Sequence, residues 1–109
     1  MSNDLVFSKI RDTLEHNNVV LYMKGTKFAP ACGFSSAVVR ILNSFDIDFF
    51  DINVLVDEEI RQGIKDYNNW PTVPQLFVKS EFVGGCDIVV ESFKDGSLKD
   101  LFVNKGIIS

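Results

Sequence analysis

Lys24-Gly25-Thr26-Lys27-Phe28-Ala29-Pro30-Ala31-Cys32-Gly33-Phe34-Ser35-Ser36 is the stretch on which the reading of this chain turns. Ahead of it, Val19-Val20-Leu21-Tyr22-Met23 is a continuous apolar run of β-type residues, as a buried strand requires. Behind it, Ala37, Val38, Ile41, Leu42 and Phe45 recur at helical spacing, predicting a helix over about residues 34–45. Cys32 therefore falls where a loop enters the first turn of a helix. The partial positive charge there favours a thiolate, and Lys24 or Lys27 is placed to add to it.

Working outward, Phe49-Phe50-Asp51-Ile52-Asn53-Val54 reads as a second strand, so strand, helix and strand form a βαβ unit with parallel strands. Val6, Ile10, Thr13 and Leu14 predict an amphipathic first helix over about residues 4–15, ended by a turn at His16-Asn17-Asn18. His16 is the single histidine, placed where a helix dipole favours it, which argues against a Cys-His nucleophile pair or a multi-histidine metal site. Asp57 is the expected N-cap of a third helix carrying Ile60, Ile64 and Tyr67, stopped at Asn68-Asn69-Trp70-Pro71. Two short strands follow at Gln75-Leu76-Phe77-Val78 and Glu81-Phe82-Val83, joined through Lys79-Ser80, which is not the usual hairpin turn. Gly84-Gly85 breaks the pattern. Cys86-Asp87 opens a fourth helix with Ile88, Val89 and Phe93, Asp95-Gly96 closes it, and Ser97 with Asp100 predicts a capping box for a last helix with Leu98, Leu101 and Phe102. This layout predicts a thioredoxin-like α/β fold, a four-stranded mixed sheet flanked by helices on both faces. One domain is expected over 1–109, with its core over about 5–104, and most of the ten phenylalanines are expected in that core.

The formal net charge of −4 argues against a broad nucleic-acid surface, which needs a basic face. No apolar run approaches the ~20 residues of a membrane span. Met1-Ser2-Asn3-Asp4 has neither signal-peptide nor transit-sequence character. Two cysteines, Cys32 and Cys86, are too few for a secreted disulfide scaffold, so a reducing compartment is expected.

A dithiol oxidoreductase carries Cys-x-x-Cys, whose second sulfur resolves the mixed disulfide left by the first. This chain has Cys32-Gly33-Phe34-Ser35, and a serine cannot do that. Resolution then falls to an external thiol or to Cys86, or else disulfide exchange is not the main task. Cys86 has a second reading, as a small residue at a helix start whose backbone rather than sulfur is used.

Cys32-Gly33-Phe34-Ser35 resembles the signature of the monothiol glutaredoxins. So do Leu21-Tyr22-Met23-Lys24-Gly25, Asn69-Trp70-Pro71-Thr72-Val73-Pro74-Gln75-Leu76 and Val83-Gly84-Gly85-Cys86-Asp87-Ile88, in family order over nearly the whole chain. The length is similar to the short bacterial and mitochondrial form without an N-terminal thioredoxin-like extension, and a bacterial cytoplasmic location is expected, with the mitochondrial matrix as the alternative.

The resemblance implies that Thr72-Val73-Pro74 carries a cis-proline and that Val73 pairs its backbone with glutathione. It implies that Lys24 and Arg61 reach the glycine carboxylate, although Arg61 read alone is a solvated residue paired with Glu58 or Glu59. Gly85, Cys86 and Asp87 are expected to receive the γ-glutamyl end at a helix N-terminus. Phe34 is expected to cap the site, while Trp70 is read as core more than as wall. The resemblance further implies that Cys32 ligates a [2Fe-2S] cluster shared by a homodimer and two glutathione molecules, or by a mixed dimer with a BolA-like partner, for transfer to apo-proteins. The alternative is an enzyme, a glutathione-dependent disulfide oxidoreductase that deglutathionylates proteins by a monothiol mechanism. A third reading is an adaptor whose partner binding ignores Cys32.

Overall fold

Strand β1 (Val19–Met23) is buried at every position, and its alternation divides the core in two. Val19, Leu21 and Met23 face one side of the sheet, where they pack with Val38, Leu42, Leu76 and Phe102. Val20 and Tyr22 face the other and pack with Ile10, Leu14, Ile64 and Phe77. A strand covered on both faces must be apolar throughout, which is why Val-Val-Leu-Tyr-Met is continuous rather than alternating.

The computed structural model describes residues 2–109. In chain order it contains α1 (Ser2–His16), β1, β2 (Gly25–Thr26), β3 (Ala29–Pro30), α2 (Gly33–Ser44), β4 (Phe50–Asn53), a 3-10 turn at Val54–Val56, α3 (Glu58–Asn68), β5 (Gln75–Val78), β6 (Glu81–Gly84), α4 (Cys86–Asp95) and α5 (Ser97–Asn104). The main sheet has the order β4-β1-β5-β6. β1 runs parallel to β4 across the crossover through α2, and antiparallel to β5, which pairs with β6. Helices α1 and α3 cover one face, and α2, α4 and α5 the other. This is the thioredoxin-like arrangement expected above. No helix among the described residues is long and apolar enough to cross a membrane.

Several local expectations hold in detail. Asp57 caps α3 by accepting from the Ile60 N–H at 3.2 Å. Lys79 and Ser80 both adopt positive φ, 52° and 69°, despite being neither glycine nor asparagine. The Lys79 N–H donates to Asn18 O at 2.7 Å and the Ser80 hydroxyl to Leu14 O at 3.1 Å, so contacts with the end of α1 hold the turn.

Other expectations need correction. The capping box at Ser97 does not form: Gly96 is the N-cap of α5, and Ser97 donates its N–H and hydroxyl to Asp95 Oδ1 at 2.8 and 2.7 Å. The local turn to Asp95 wins because that carboxylate reaches both donors at once. Of the apolar residues expected in the fourth helix, Ile88 and Phe93 are exposed and Val89 carries the burial. Of the phenylalanines, Phe28 departs furthest from the core, with 91% of its surface exposed.

The β2–β3 hairpin was not foreseen. It pairs Gly25 with Pro30 and Thr26 with Ala29, and lies beside edge strand β4. Two β4 side chains hold it there: Asn53 Oδ1 accepts from the Gly25 N–H at 3.0 Å, and Asp51 Oδ2 from the Lys27 N–H at 2.7 Å. The pairing blunts an edge that would otherwise offer unpaired backbone to another strand. Gly25 sits at φ +86°, and a Cβ there would lie 2.5 Å from both Ala29 O and Ala31 N. No other residue fits that corner.

Candidate functional site

Cys32 is the N-cap of α2, in extended backbone at φ −150°, ψ 158°. Its sulfur lies 3.4 Å from the Ser35 N–H and 3.4 Å from Ser35 Oγ. Ser35 is fully buried, and its oxygen already accepts from the Lys24 N–H at 3.1 Å. With that lone pair engaged, the hydroxyl hydrogen is free to point at the sulfur. Partial burial raises the Cys32 pKa, but the Ser35 hydroxyl, the Ser35 and Phe34 N–H groups and the Lys24 charge together hold it below the ordinary thiol value. The expected thiolate-favouring site is present.

Lys24 and Lys27 part company. Lys27 is turned away from the sulfur: its ammonium donates to Phe49 O and lies 4.6 Å from the Phe49 ring centroid. Of the two, it is the Lys24 charge that lowers the Cys32 pKa.

Beside Cys32 opens a cleft of about 390 Å³. Lys24 and Phe34 line its Cys32 side, and Arg61 on α3 faces it. The segment Thr72-Val73-Pro74, with a cis Val73–Pro74 peptide bond, lines another part of the wall. Gly85, Cys86 and Asp87 complete it at the start of α4. Nine of the ten singled-out residues thus line one cleft; Cys32 is not among its lining residues, but its charge is felt by Cys86 in the wall and it feels that of Lys24.

Arg61 satisfies both of its readings, lining the cleft while Nη1 lies 3.4 Å from Glu58 Oε1. That ion pair is exposed and long, and such pairs contribute little, so the guanidinium is free to turn. Lys65, one helical turn further on, was missed although its i+4 spacing puts it beside Arg61. Three cations therefore border the cleft of a net acidic protein.

The start of α4 has no side-chain cap, so its first-turn N–H groups are left to whatever enters the cleft. The glycine pair before it divides two tasks. Gly84 takes the unusual backbone, at φ 157°, whereas a Cβ on Gly85 would lie 3.3 Å from Trp70 Nε1 and 3.4 Å from Pro74 O. Trp70, read above as core, is a wall of the cleft, packed against Phe82 with ring centroids 5.2 Å apart. Its Nε1 is the buried side-chain donor among the described residues that lacks a partner.

Cys86 is unlike Cys32. Burial raises its pKa, and the charges of Asp87 and Cys32 raise it further, so it stays protonated where Cys32 ionises. Both thiols are free.

The glutaredoxin family model matches residues 19–83. Monothiol glutaredoxin-S14, chloroplastic, of Arabidopsis thaliana is 51% identical over 96 residues, covering 84% of this chain. This chain spans only 56% of that relative's length. The probable monothiol glutaredoxin 2 of Rickettsia typhi is 51% identical over 92 residues, covering 84% of this chain and 83% of its own. Among solved structures, the buckwheat glutaredoxin–glutathione complex superposes with a TM-score of 0.86, covering 99% of this chain and 96% of that one at 22% identity, which shows the shared fold. With Cys32 followed at the third position by Ser35 in place of a second thiol, the chain belongs to the monothiol glutaredoxins.

Proposed function

We propose that this protein carries a [2Fe-2S] cluster as cargo, held between two copies by Cys32 of each and by two glutathione molecules, and passes it to apo-proteins. The observation that carries the reading is the pairing of a thiolate-favouring Cys32 with a cationic cleft and no second thiol at Ser35. Iron–sulfur clusters are usually held by four thiolates. Among the described residues no three His, Cys, Asp or Glu side chains gather as a metal-binding group, so ligands from outside one chain are needed.

The cleft suits glutathione, the ligand named for the buckwheat structure. Lys24, Arg61 and Lys65 face the glycine carboxylate. The Thr72-Val73-Pro74 backbone pairs with the cysteinyl unit in strand fashion. The uncapped N-terminus of α4, at Gly85, Cys86 and Asp87, takes the γ-glutamyl carboxylate, and Asp87 accepts from its ammonium. Phe34 closes the cleft on the Cys32 side. With half of the ligands exchangeable small molecules, the cargo is released by ligand exchange, and a BolA-like partner can replace one copy.

Anaerobic reconstitution, followed by absorption spectroscopy and gel filtration, tests this. A coloured dimer should form with glutathione and be lost without it or in Cys32→Ser. Cluster retained by Cys32→Ser refutes the reading.

The lowered pKa of Cys32 also favours a second activity. The thiolate attacks the glutathione sulfur of a glutathionylated protein, and the protein thiolate leaves. A second glutathione thiolate then attacks the glutathione sulfur of the Cys32 mixed disulfide, returning the Cys32 thiolate and releasing oxidised glutathione. Fast turnover with no cluster bound in the reconstitution would make this the main role.

A further inference from the structure

Gln75 follows the cis bond at the start of β5, in an otherwise apolar strand, and is fully buried. Both of its N–H donors and its oxygen are engaged. Nε2 donates to Trp70 O at 3.2 Å and to Thr72 O at 3.0 Å, and Oε1 accepts from Asn68 Nδ2 at 3.2 Å. The two carbonyls fix which end of the amide is which, since a flipped amide would set its oxygen against both of them, and the Asn68 donor then steadies Oε1.

The two acceptors belong to the cleft wall. In a trans peptide the carbonyl and the following N–H point in opposite directions. Among the described residues the Val73–Pro74 bond is the cis one, so the Thr72–Val73 peptide is trans. Drawing Thr72 O inward to Gln75 therefore turns the Val73 N–H outward, on the side where Val73 lines the cleft. No acceptor for that N–H is found among the described residues. The Trp70 carbonyl is drawn inward in the same way, and the next residue, Pro71, has no N–H to be stranded on the other side.

We infer that Gln75 is a positioning residue for glutathione: oriented by the Trp70 and Thr72 carbonyls and steadied by Asn68, its buried amide aims the Val73 N–H at the ligand backbone. The inference rests on the glutathione reading above and deepens it. It also couples the two walls, because Asn68 ends the helix that carries Arg61 and Lys65. A ligand touching the cations and the Val73 backbone meets groups held in register by one amide.

The test uses S-methylglutathione, which has no free thiol and so reports non-covalent binding alone. Binding is followed through the Val73 amide resonance by proton–nitrogen correlation spectroscopy. Gln75→Leu keeps the volume and removes the donors, and should weaken binding about tenfold; Asn68→Ala takes away the donor that steadies Oε1 and loosens the amide against the two carbonyls, and should weaken it about threefold. In both variants the Val73 amide should lose its ligand-induced shift, while the pH profile of Cys32 alkylation stays as in the wild type. Should Gln75→Leu fail to fold, Asn68→Ala, altered at the end of a helix, carries the test. If the wild type binds and the variants bind equally well, the inference is overturned. It is also overturned if binding falls only together with a shifted Cys32 profile, the mark of general structural damage. If the wild type itself shows no binding, the glutathione reading falls and takes this inference with it.

Discussion

Asn53→Ala should loosen the hairpin that leads into Cys32, by an amount that follows from two hydrogen bonds. Asn53 Oδ1 accepts from the Gly25 N–H and from the Leu55 N–H, each at 3.0 Å. The Gly25 donor is partly buried, and leaving it unpaired costs about 1.5 kcal/mol. The Leu55 donor is exposed, so water replaces the lost oxygen and the cost is about 0.5 kcal/mol. The sum, about 2 kcal/mol, corresponds to a fall of roughly 8 °C in Tm for a domain of this size. Thermal unfolding followed by circular dichroism reads the total. If the loss at the hairpin is local, only the Gly25 bond counts, and amide exchange at Gly25 and Ala31 should accelerate by roughly tenfold. Asn53→Asp is the decisive companion, because it keeps an oxygen in the same place and should recover most of the loss. Ala and Asp variants of equal stability would refute the argument, since the acceptor would then not be what holds the hairpin.

Ser35→Ala removes the hydroxyl beside the sulfur, so the Cys32 pKa should rise towards the ordinary thiol value and alkylation at neutral pH should slow. An unchanged pH–rate profile would show that the hydroxyl does not serve the thiolate. The two cysteines shift in opposite directions, so limited alkylation near pH 7 should mark Cys32, and Cys86 should follow only as the pH rises past the ordinary thiol range. Peptide mass spectrometry reads the ratio, and equal labelling at every pH refutes the assignment. Gly25→Ala sets a Cβ 2.5 Å from two backbone atoms at φ +86°, and should cost about 2–4 kcal/mol in urea unfolding. A loss below about 1 kcal/mol would mean that the corner shifts freely.

What was legible in the sequence was whatever a strong period or a local rule specifies. β1 is a five-residue apolar run, α2 and α3 have clear apolar faces, and Asp57 stands where an N-cap must. The β2–β3 hairpin escaped because each strand is two residues long and is held by Asp51 and Asn53, more than twenty positions away. No local pattern encodes such a contact. Lys65 escaped although its signal was available, four residues after Arg61 on the same helix. Gln75 left a fainter trace, as a polar residue opening an apolar strand, but its three partners become visible only once the chain has turned at Trp70–Pro74. Trp70 illustrates a real ambiguity: one ring packs on Phe82 and also walls the cleft, so core and site are not exclusive.

Ser35 is more than the absence of a resolving cysteine. A thiol at that position would be a poor donor, and being larger it would have to fit a site that is fully closed. The hydroxyl accepts from the Lys24 N–H and keeps its hydrogen for Cys32, tying the end of β1 to the first turn of α2 through one small group. The replacement that takes away an internal partner for disulfide exchange thus also stabilises the thiolate left behind. With no thiol in its own helical turn, and Cys86 across the cleft held protonated, Cys32 faces groups (three cations, an uncapped helix start and the Val73 N–H) of the kind that receive anionic groups and carbonyls. The reading proposed above, an external co-ligand for Cys32, starts from that one serine.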